Sequence, residues 1–219
     1  MTIDYRTITL DIARQAVQAY NSGCYAGGIK NPELDRQALQ LFANGLVLSL
    51  EGVQEQVRFI GVDYGGVAGF KAAYSLAPAI AHDIHAVRDR YAGLAKSAPS
   101  LLHAPSPVEV ISELYAPFIK PLHGKRNWQV WAAKFWHFLN PEAFPIEDSR
   151  VDNFFRLSGR AHSPEKYVFL SNRFREFAMA HQGWLPPLRA TDGGHAWCDN
   201  KLWDKVCYGV VELGGCQAS

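Results

Sequence analysis

Lys134 and Asp148 stand on either side of one Pro-bounded turn, in the stretch from Lys125 to Leu157. An amine and a carboxylate facing each other across a tight connection can act as nucleophile and charge stabiliser, or can form a plain structural pair. On the helix expected after Asn127, Trp128, Trp131, Phe135, Phe138 and Leu139 fall at helical spacing and form a thick apolar stripe that reads as core. Lys134 borders that face together with Val130 and His137, so its stem should pack while its ammonium reaches a cleft or solvent. Asp148 lies in Pro145-Ile146-Glu147-Asp148-Ser149-Arg150-Val151, where the next helix should start. A carboxylate there accepts hydrogen bonds from the first-turn amides and meets the positive end of the helix, which favours its charged form.

Other constellations are weaker. His195 and Cys198 have a usable metal-ligand spacing, but the eight residues between Cys198 and Cys207, and again between Cys207 and Cys216, do not fit a zinc ribbon or an iron–sulfur loop. Cys207 shares a helical stripe with Leu202, Trp203, Val206 and Val210 and reads as a small core residue. No metal and no cofactor is expected. His82-Asp83-Ile84-His85 is half of a metal-dependent phosphohydrolase signature without its partners, and reads as an exposed helix face. The phosphate-binding loop, the Gly-x-Ser-x-Gly elbow and the dinucleotide fingerprint are missing, which argues against NTPase, elbow-hydrolase and nicotinamide chemistry.

The elements that must position the pair are mostly helical in pattern. Ile12, Ala13, Ala16, Val17 and Tyr20 form one stripe behind a Thr9 or Asp11 cap. Asn31-Pro32-Glu33 opens a second helix predicted to run to about Leu50. Val57 to Gly66 reads as extended, a short β-like segment near 57–63 bounded by glycines. Helical patterns follow over Gly69–Lys96, broken or kinked at Pro78, then from Ser106-Pro107-Val108-Glu109 to about Phe118, from Asn127 to Asn140, and over Asp148–Leu157, Pro164–His181 and Trp197–Val211. Pro99, Pro105 and Pro107 make 98–107 the clearest lobe boundary within what is otherwise one globular unit over 1–219.

At 219 residues and 48% hydrophobic, the chain can bury one large core or two small lobes. A formal net charge of +1 argues against polyanion binding driven by bulk charge. Between Lys120 and Arg175, however, ten Lys and Arg residues stand against five Asp and Glu, a local basic excess around the candidate site. Four cysteines in a chain of this length do not make a disulfide framework. The start, Met-Thr-Ile-Asp-Tyr-Arg, has no basic stretch leading into an apolar one, and no apolar run reaches the roughly 18 residues needed to span a bilayer. A soluble cytoplasmic protein without a membrane partner is the expectation, and the oligomeric state is left open.

The run Phe144-Pro-Ile-Glu-Asp-Ser-Arg-Val-Asp-Asn-Phe-Phe-Arg-Leu157 resembles the Pro-rich loop and catalytic-aspartate helix of the helix-hairpin-helix DNA glycosylase superfamily, as a diverged member. About thirty residues carry the likeness, with the rest matching in outline. It implies a mainly α, two-lobed helical fold, with duplex DNA bound between the lobes and an N-glycosidic bond of a modified or damaged base hydrolysed or cleaved by lyase chemistry. Asp148 matches the family's aspartate, and Lys134 stands where bifunctional members carry a Schiff-base lysine. In place of the family's Gly-hydrophobic-Gly hairpin the chain has Pro121-Leu122-His123-Gly124-Lys125-Arg126-Asn127, so contacts to DNA would come from His123, Gly124, Lys125 and Arg126, and from Arg150. Trp128 and Trp136 would be the base-stacking aromatics. The competing expectation is a noncatalytic helical interaction or structural module with the same fold.

Overall fold

Helix starts are set by short polar side chains that take up orphan amides. Thr9 Oγ1 accepts from Ile12 N, Ser49 Oγ from Gly52 N, Ser163 Oγ from Lys166 N, and Asp148 from Arg150 N and Val151 N. The computed structural model describes residues 5–23, 28–64, 70–119 and 128–216. In chain order its helices are α1 (Leu10–Ser22), α2 (Asn31–Leu41), α3 (Leu50–Val62), α4 (Phe70–Ala86), α5 (Arg88–Ser97), α6 (Val108–Ile119), α7 (Trp128–Leu139), α8 (Ser149–Phe154), α9 (Pro164–Ala180), α10 (Leu185–Asp192) and α11 (Asp199–Cys216). The chain is mainly α-helical, with no strand among the described residues, and none of their helices is long and apolar enough to cross a membrane.

The expected extended segment near 57–63 is instead the second half of α3. Val57, Phe59, Ile60 and Val62 look strand-like locally, but Val53, Val57 and Ile60 fall on one helical stripe and are all fully buried. Gln56, also buried, ties the helix to the preceding loop: its Nε2 donates to Leu41 O at 3.0 Å and Gly45 O at 2.8 Å, and its Oε1 accepts from Val47 N at 3.3 Å. That loop is why α2 stops at Leu41 and not near Leu50. Pro78 does not end its helix, since α4 runs through it.

α7 is the central helix. Residues 131–138 are all buried, and two of its indoles donate to groups on two neighbouring helices. Trp131 Nε1 donates to Val57 O at 2.8 Å, with its ring lying over Gly61, where a Cβ would sit 2.4 Å from the indole. Trp136 Nε1 donates to Tyr91 OH at 2.7 Å, and that hydroxyl donates to Leu114 O at 3.1 Å, linking α7 to α5 and α6. The Pro-rich stretch 98–107 is a loop, as expected, yet it does not divide the core. Leu101 is fully buried with its N–H bonded to Glu142 O at 2.8 Å, and one cluster of buried side chains runs across it from Ile8 to Val210.

α1 and α11 pack backbone to backbone at Gly209. A Cβ on Gly209 would lie 2.1 Å from Ala16 O, a backbone atom that cannot swing aside. Gly209→Ala should therefore cost about 3 kcal/mol or more in urea unfolding. Gly93→Ala in α5, with nothing within 4 Å of the added methyl, should be neutral or stabilising by roughly 0.5–1 kcal/mol. Equal effects of the two changes would contradict this packing.

Candidate functional site

The turn from α7 to α8 is buried throughout residues 143–148, so each of its polar groups needs a partner. Side chains satisfy several carbonyls of this connection and of the two residues before it. His137 Nδ1 lies 2.8 Å from Phe144 O, Tyr167 OH donates to Pro145 O at 2.8 Å, and Asn200 Nδ2 donates to Pro141 O at 2.8 Å and Glu142 O at 2.9 Å. Because a carbonyl only accepts, His137 carries its proton on Nδ1. Its Nε2 is buried and has no hydrogen-bond partner among the described residues. Burial, with the positive charge of Lys201 adding to it, pushes the His137 pKa down to about 3.

Asp148 takes the role its position predicts. It is the N-cap of α8, in extended conformation at φ −150° and ψ 176°, and its Oδ1 accepts from Arg150 N and Val151 N, each at 2.9 Å. It is 8% exposed. Lys134 is buried rather than snorkelling: its Nζ lies 3.4 Å from Tyr64 O and 5.3 Å from the centre of the Tyr64 ring. Burial lowers its pKa; the carboxylates of Asp148 and Asp204 oppose that shift, while Lys201 and Arg150 reinforce it. Both residues are buried, and the Asp148 carboxylate raises the Lys134 pKa against the effect of burial.

The same centre contains groups that no local spacing announced. Lys201 of α11 is buried, with Nζ 2.8 Å from Tyr20 OH, 3.2 Å from Tyr64 OH, 2.9 Å from Asp204 Oδ2 and 3.3 Å from Asp35 Oδ1. Both tyrosine hydroxyls donate to Asp35, Tyr64 at 2.5 Å and Tyr20 at 3.1 Å. Asp204 is buried, and burial raises its carboxyl to about 6 against the opposing pull of Lys201; among the described residues its Oδ1 has no hydrogen-bond partner. Groups from α1, α2, α11 and Tyr64 just after α3 therefore converge on Lys201, and Tyr64 O also meets Lys134 of α7. The α11 spacing gave no warning, since Lys201, Asp204 and Lys205 share one helix face opposite Leu202, Trp203, Val206 and Cys207 and read as a solvated stripe, yet all are buried.

A second buried cluster braces the turn from the other direction. Lys166 of α9 donates to Glu147 Oε1 at 2.9 Å and to Asp152 Oδ2 at 2.6 Å, with His162 Nδ1 3.3 Å from the same Glu147 oxygen. Burial and the neighbouring Glu147 raise the Asp152 pKa. At the surface, Arg150 pairs through Nε with Glu212 at 2.6 Å and lies 4.7 Å above the Tyr208 ring, with its side chain 41% exposed.

The remaining expected contacts separate into two groups. Trp136 is corrected: its ring is fully buried against Tyr115, Phe144 and Tyr167, so no base can stack on it in this conformation. His123, Gly124, Lys125 and Arg126 lie outside the described residues, as does the side chain of Trp128. Among the described residues, no group of three or more His, Cys, Asp or Glu side chains could hold a metal ion. Comparison of the chain with protein-family models, with curated proteins and with solved structures finds no match. The chemistry has to be read from the geometry.

His137 gives this centre a pH signature. Its folded pKa is depressed, so its contribution to stability is complete above pH 6.5 and is lost as pH falls toward 3, because the unfolded chain binds a proton that the folded chain refuses. His137→Asn keeps a donor for Phe144 O and does not titrate. Between pH 6.5 and 4 the unfolding free energy of wild type should fall more steeply than that of the variant, by about 1.4 kcal/mol per pH unit. Parallel urea-unfolding profiles would show that His137 does not resist protonation.

Proposed function

We propose that the chain acts on duplex DNA at the N-glycosidic bond of a modified or damaged base, with Asp148 and Lys134 as its catalytic residues. The observation that carries this reading is the pairing itself: a buried lysine whose pKa is lowered stands in the field of a carboxylate fixed at a helix start. A neutral amine is a nucleophile, and a carboxylate pinned by two amides is a preorganised stabiliser of positive charge. The resemblance of residues 144–157 to the aspartate helix of helix-hairpin-helix glycosylases supports the same assignment, as does the basic excess over 120–175.

In this mechanism the target nucleotide leaves the base stack and its sugar meets Asp148. As the C1′–N bond breaks, the base departs with the electron pair and takes up a proton, while Asp148 offsets the charge developing on the sugar. The Lys134 nitrogen forms the new bond to C1′ and passes its extra proton to solvent or to the departing base, and opening of the sugar ring gives an imine that borohydride reduces. Arg150, exposed beside Asp148, is placed to meet a phosphate once it leaves Glu212. Asp148 and Lys134 are 8% and 5% exposed in the unliganded chain, so substrate binding has to open the site.

That burial also favours the second reading, a noncatalytic module in which Lys134 and Asp148 hold α7, α8 and α11 together. Incubation with duplexes bearing uracil, oxidised purines or alkylated bases, under borohydride, separates the two. The catalytic reading expects a covalent adduct with one member of the panel that Lys134→Gln abolishes. It also expects base release to drop at least about 100-fold in Asp148→Asn, a change that keeps a good helix cap and so isolates the charge. Neither base release nor adduct across the panel would leave the structural reading standing.

A further inference from the structure

A cleft of about 500 Å³ opens between α4, α5 and α6, and none of the residues lining it belongs to α7, α8 or α11. That volume is the size of a small-molecule site. Its apolar wall comes from Tyr91 and Leu94 of α5 and from Ala116 and Pro117 of α6, with Val87 at the N-cap of α5. Tyr91 is 2% exposed, and its hydroxyl is taken up inside the core, donating to Leu114 O and accepting from Trp136 Nε1, so what it offers the cleft is ring carbon. Val87 is 47% exposed, an apolar side chain that a ligand body would take out of water.

The charged groups of the cleft are Asp83 from α4, Arg90 from α5 and Glu113 from α6. Arg90 Nη2 lies 2.6 Å from Glu113 Oε2, so the one guanidinium already has its carboxylate. Asp83 is left over. Among the described residues its ion-pair contact is His82 Nδ1 at 3.7 Å, on a side chain 73% exposed that carries charge only when protonated. Two carboxylates against one guanidinium leave the cleft with a net negative charge. Pro117, inside α6, has no N–H to give the Glu113 carbonyl one turn earlier, so this part of the wall is also short of donors.

We propose that this cleft binds a small primary amine with an apolar body, its ammonium on Asp83, with Glu113 as a second acceptor, and its body against Tyr91, Leu94 and Pro117. An anion of the same shape would meet Asp83 and find Arg90 engaged. The Arg90–Glu113 pair is solvent-exposed on both sides and contributes little to stability, so Glu113 can share itself with a second cation at little cost to the fold. The site is separate from Lys134 and Asp148, and the proposal does not rest on the glycosylase reading.

The test uses the whole ¹⁵N-labelled chain and three probes of one shape, 2-phenylethylamine, 2-phenylethanol and 3-phenylpropionate. The amine should shift amide resonances over 83–94 and 113–118, with half-saturation near or below about 1 mM. The alcohol should bind roughly ten-fold more weakly, since it lacks the charge-assisted hydrogen bond, and the acid should not bind. Asp83→Asn, which keeps the size and removes the charge, should weaken the amine by about ten-fold. Ala116→Trp, at an exposed position of the lining, should block the amine while leaving the core resonances in place.

No shift of these amides by about 10 mM amine would overturn the site. An acid or alcohol that binds as well as the amine, or an amine indifferent to Asp83→Asn, would overturn the assignment of its ligand. Nα-acetyl-lysine amide binding as tightly as 2-phenylethylamine would overturn it differently, by giving the cleft to a lysine of a partner protein. Should Ala116→Trp not fold, the comparison of Asp83→Asn with wild type decides alone.

Discussion

The structure depends on how it buries charge. α11 carries Lys201, Asp204 and Lys205 into the core, each no more than 3% exposed, and a buried ion stripped of its partner costs about 3–5 kcal/mol. The rest of the chain supplies the counter-groups from far along the sequence: Tyr20 and Asn21 from α1, Asp35 from α2, Tyr64 after α3 and Asp192 from α10. Lys205, for example, donates to Asp192 at 2.6 Å and to Asn21 at 3.0 Å, which links α1, α10 and α11 through one ammonium. Apolar packing alone would let these helices slide or rotate against each other at modest cost, whereas the ion sets accept one register. Gly209 against the Ala16 carbonyl is the steric side of the same requirement, since it allows α1 close enough for Tyr20 and Asn21 to reach the α11 lysines.

Much of the helical layout was legible because it is written locally. Thr9, Ser163 and Asp148 announce helix starts by side-chain chemistry, and the stripes behind them have the 3.6-residue period. The aspartate was the most specific residue in the sequence for that reason: a cap needs only the next three residues. Where local and tertiary preferences disagree, the sequence misleads. Val57 to Val62 has the β-branched content of a strand, but the space it occupies is a helix-shaped groove against α7, with Gly61 left bare for the Trp131 ring. Trp136 failed as a stacking candidate for a related reason. On a helix buried over all of 131–138, the aromatic period shows which residues are core but leaves no exposed face to distinguish.

The centre around Lys201 was not legible, and the reason is separation along the chain. Its bonds join residues up to 181 positions apart, as between Tyr20 and Lys201, and no spacing rule connects them. A lysine such as Lys134, bordered by Val130 and His137, is equally compatible with a snorkelling surface residue and with a buried amine until the rest of the fold closes over it. On α11, Lys201, Asp204 and Lys205 stand at i, i+3 and i+4, a stripe opposite Leu202, Trp203, Val206 and Cys207 that reads as an ordinary solvated face until the fold buries both sides.

The two buried clusters meet at adjacent residues. Glu147 is fully buried and belongs to Lys166 on α9, while Asp148 belongs to the amides of α8 and acts on Lys134 and Asp204. In extended backbone, neighbouring side chains point to opposite faces, so the φ and ψ that make Asp148 a cap also send Glu147 away from it. Lys166 grips Glu147 before the cap and Asp152 one helical turn after it, so one ammonium fixes both ends of the segment that aims the Asp148 carboxylate. Its hold is tight because all three groups are buried, and a slip of α8 would leave two carboxylates without a cation. The direction of the carboxylate is therefore set from α9, while the charged groups in its field, Lys134 and Asp204, come from α7 and α11. Neither α9 nor α11 belongs to the stretch from Lys125 to Leu157 that holds both Lys134 and Asp148.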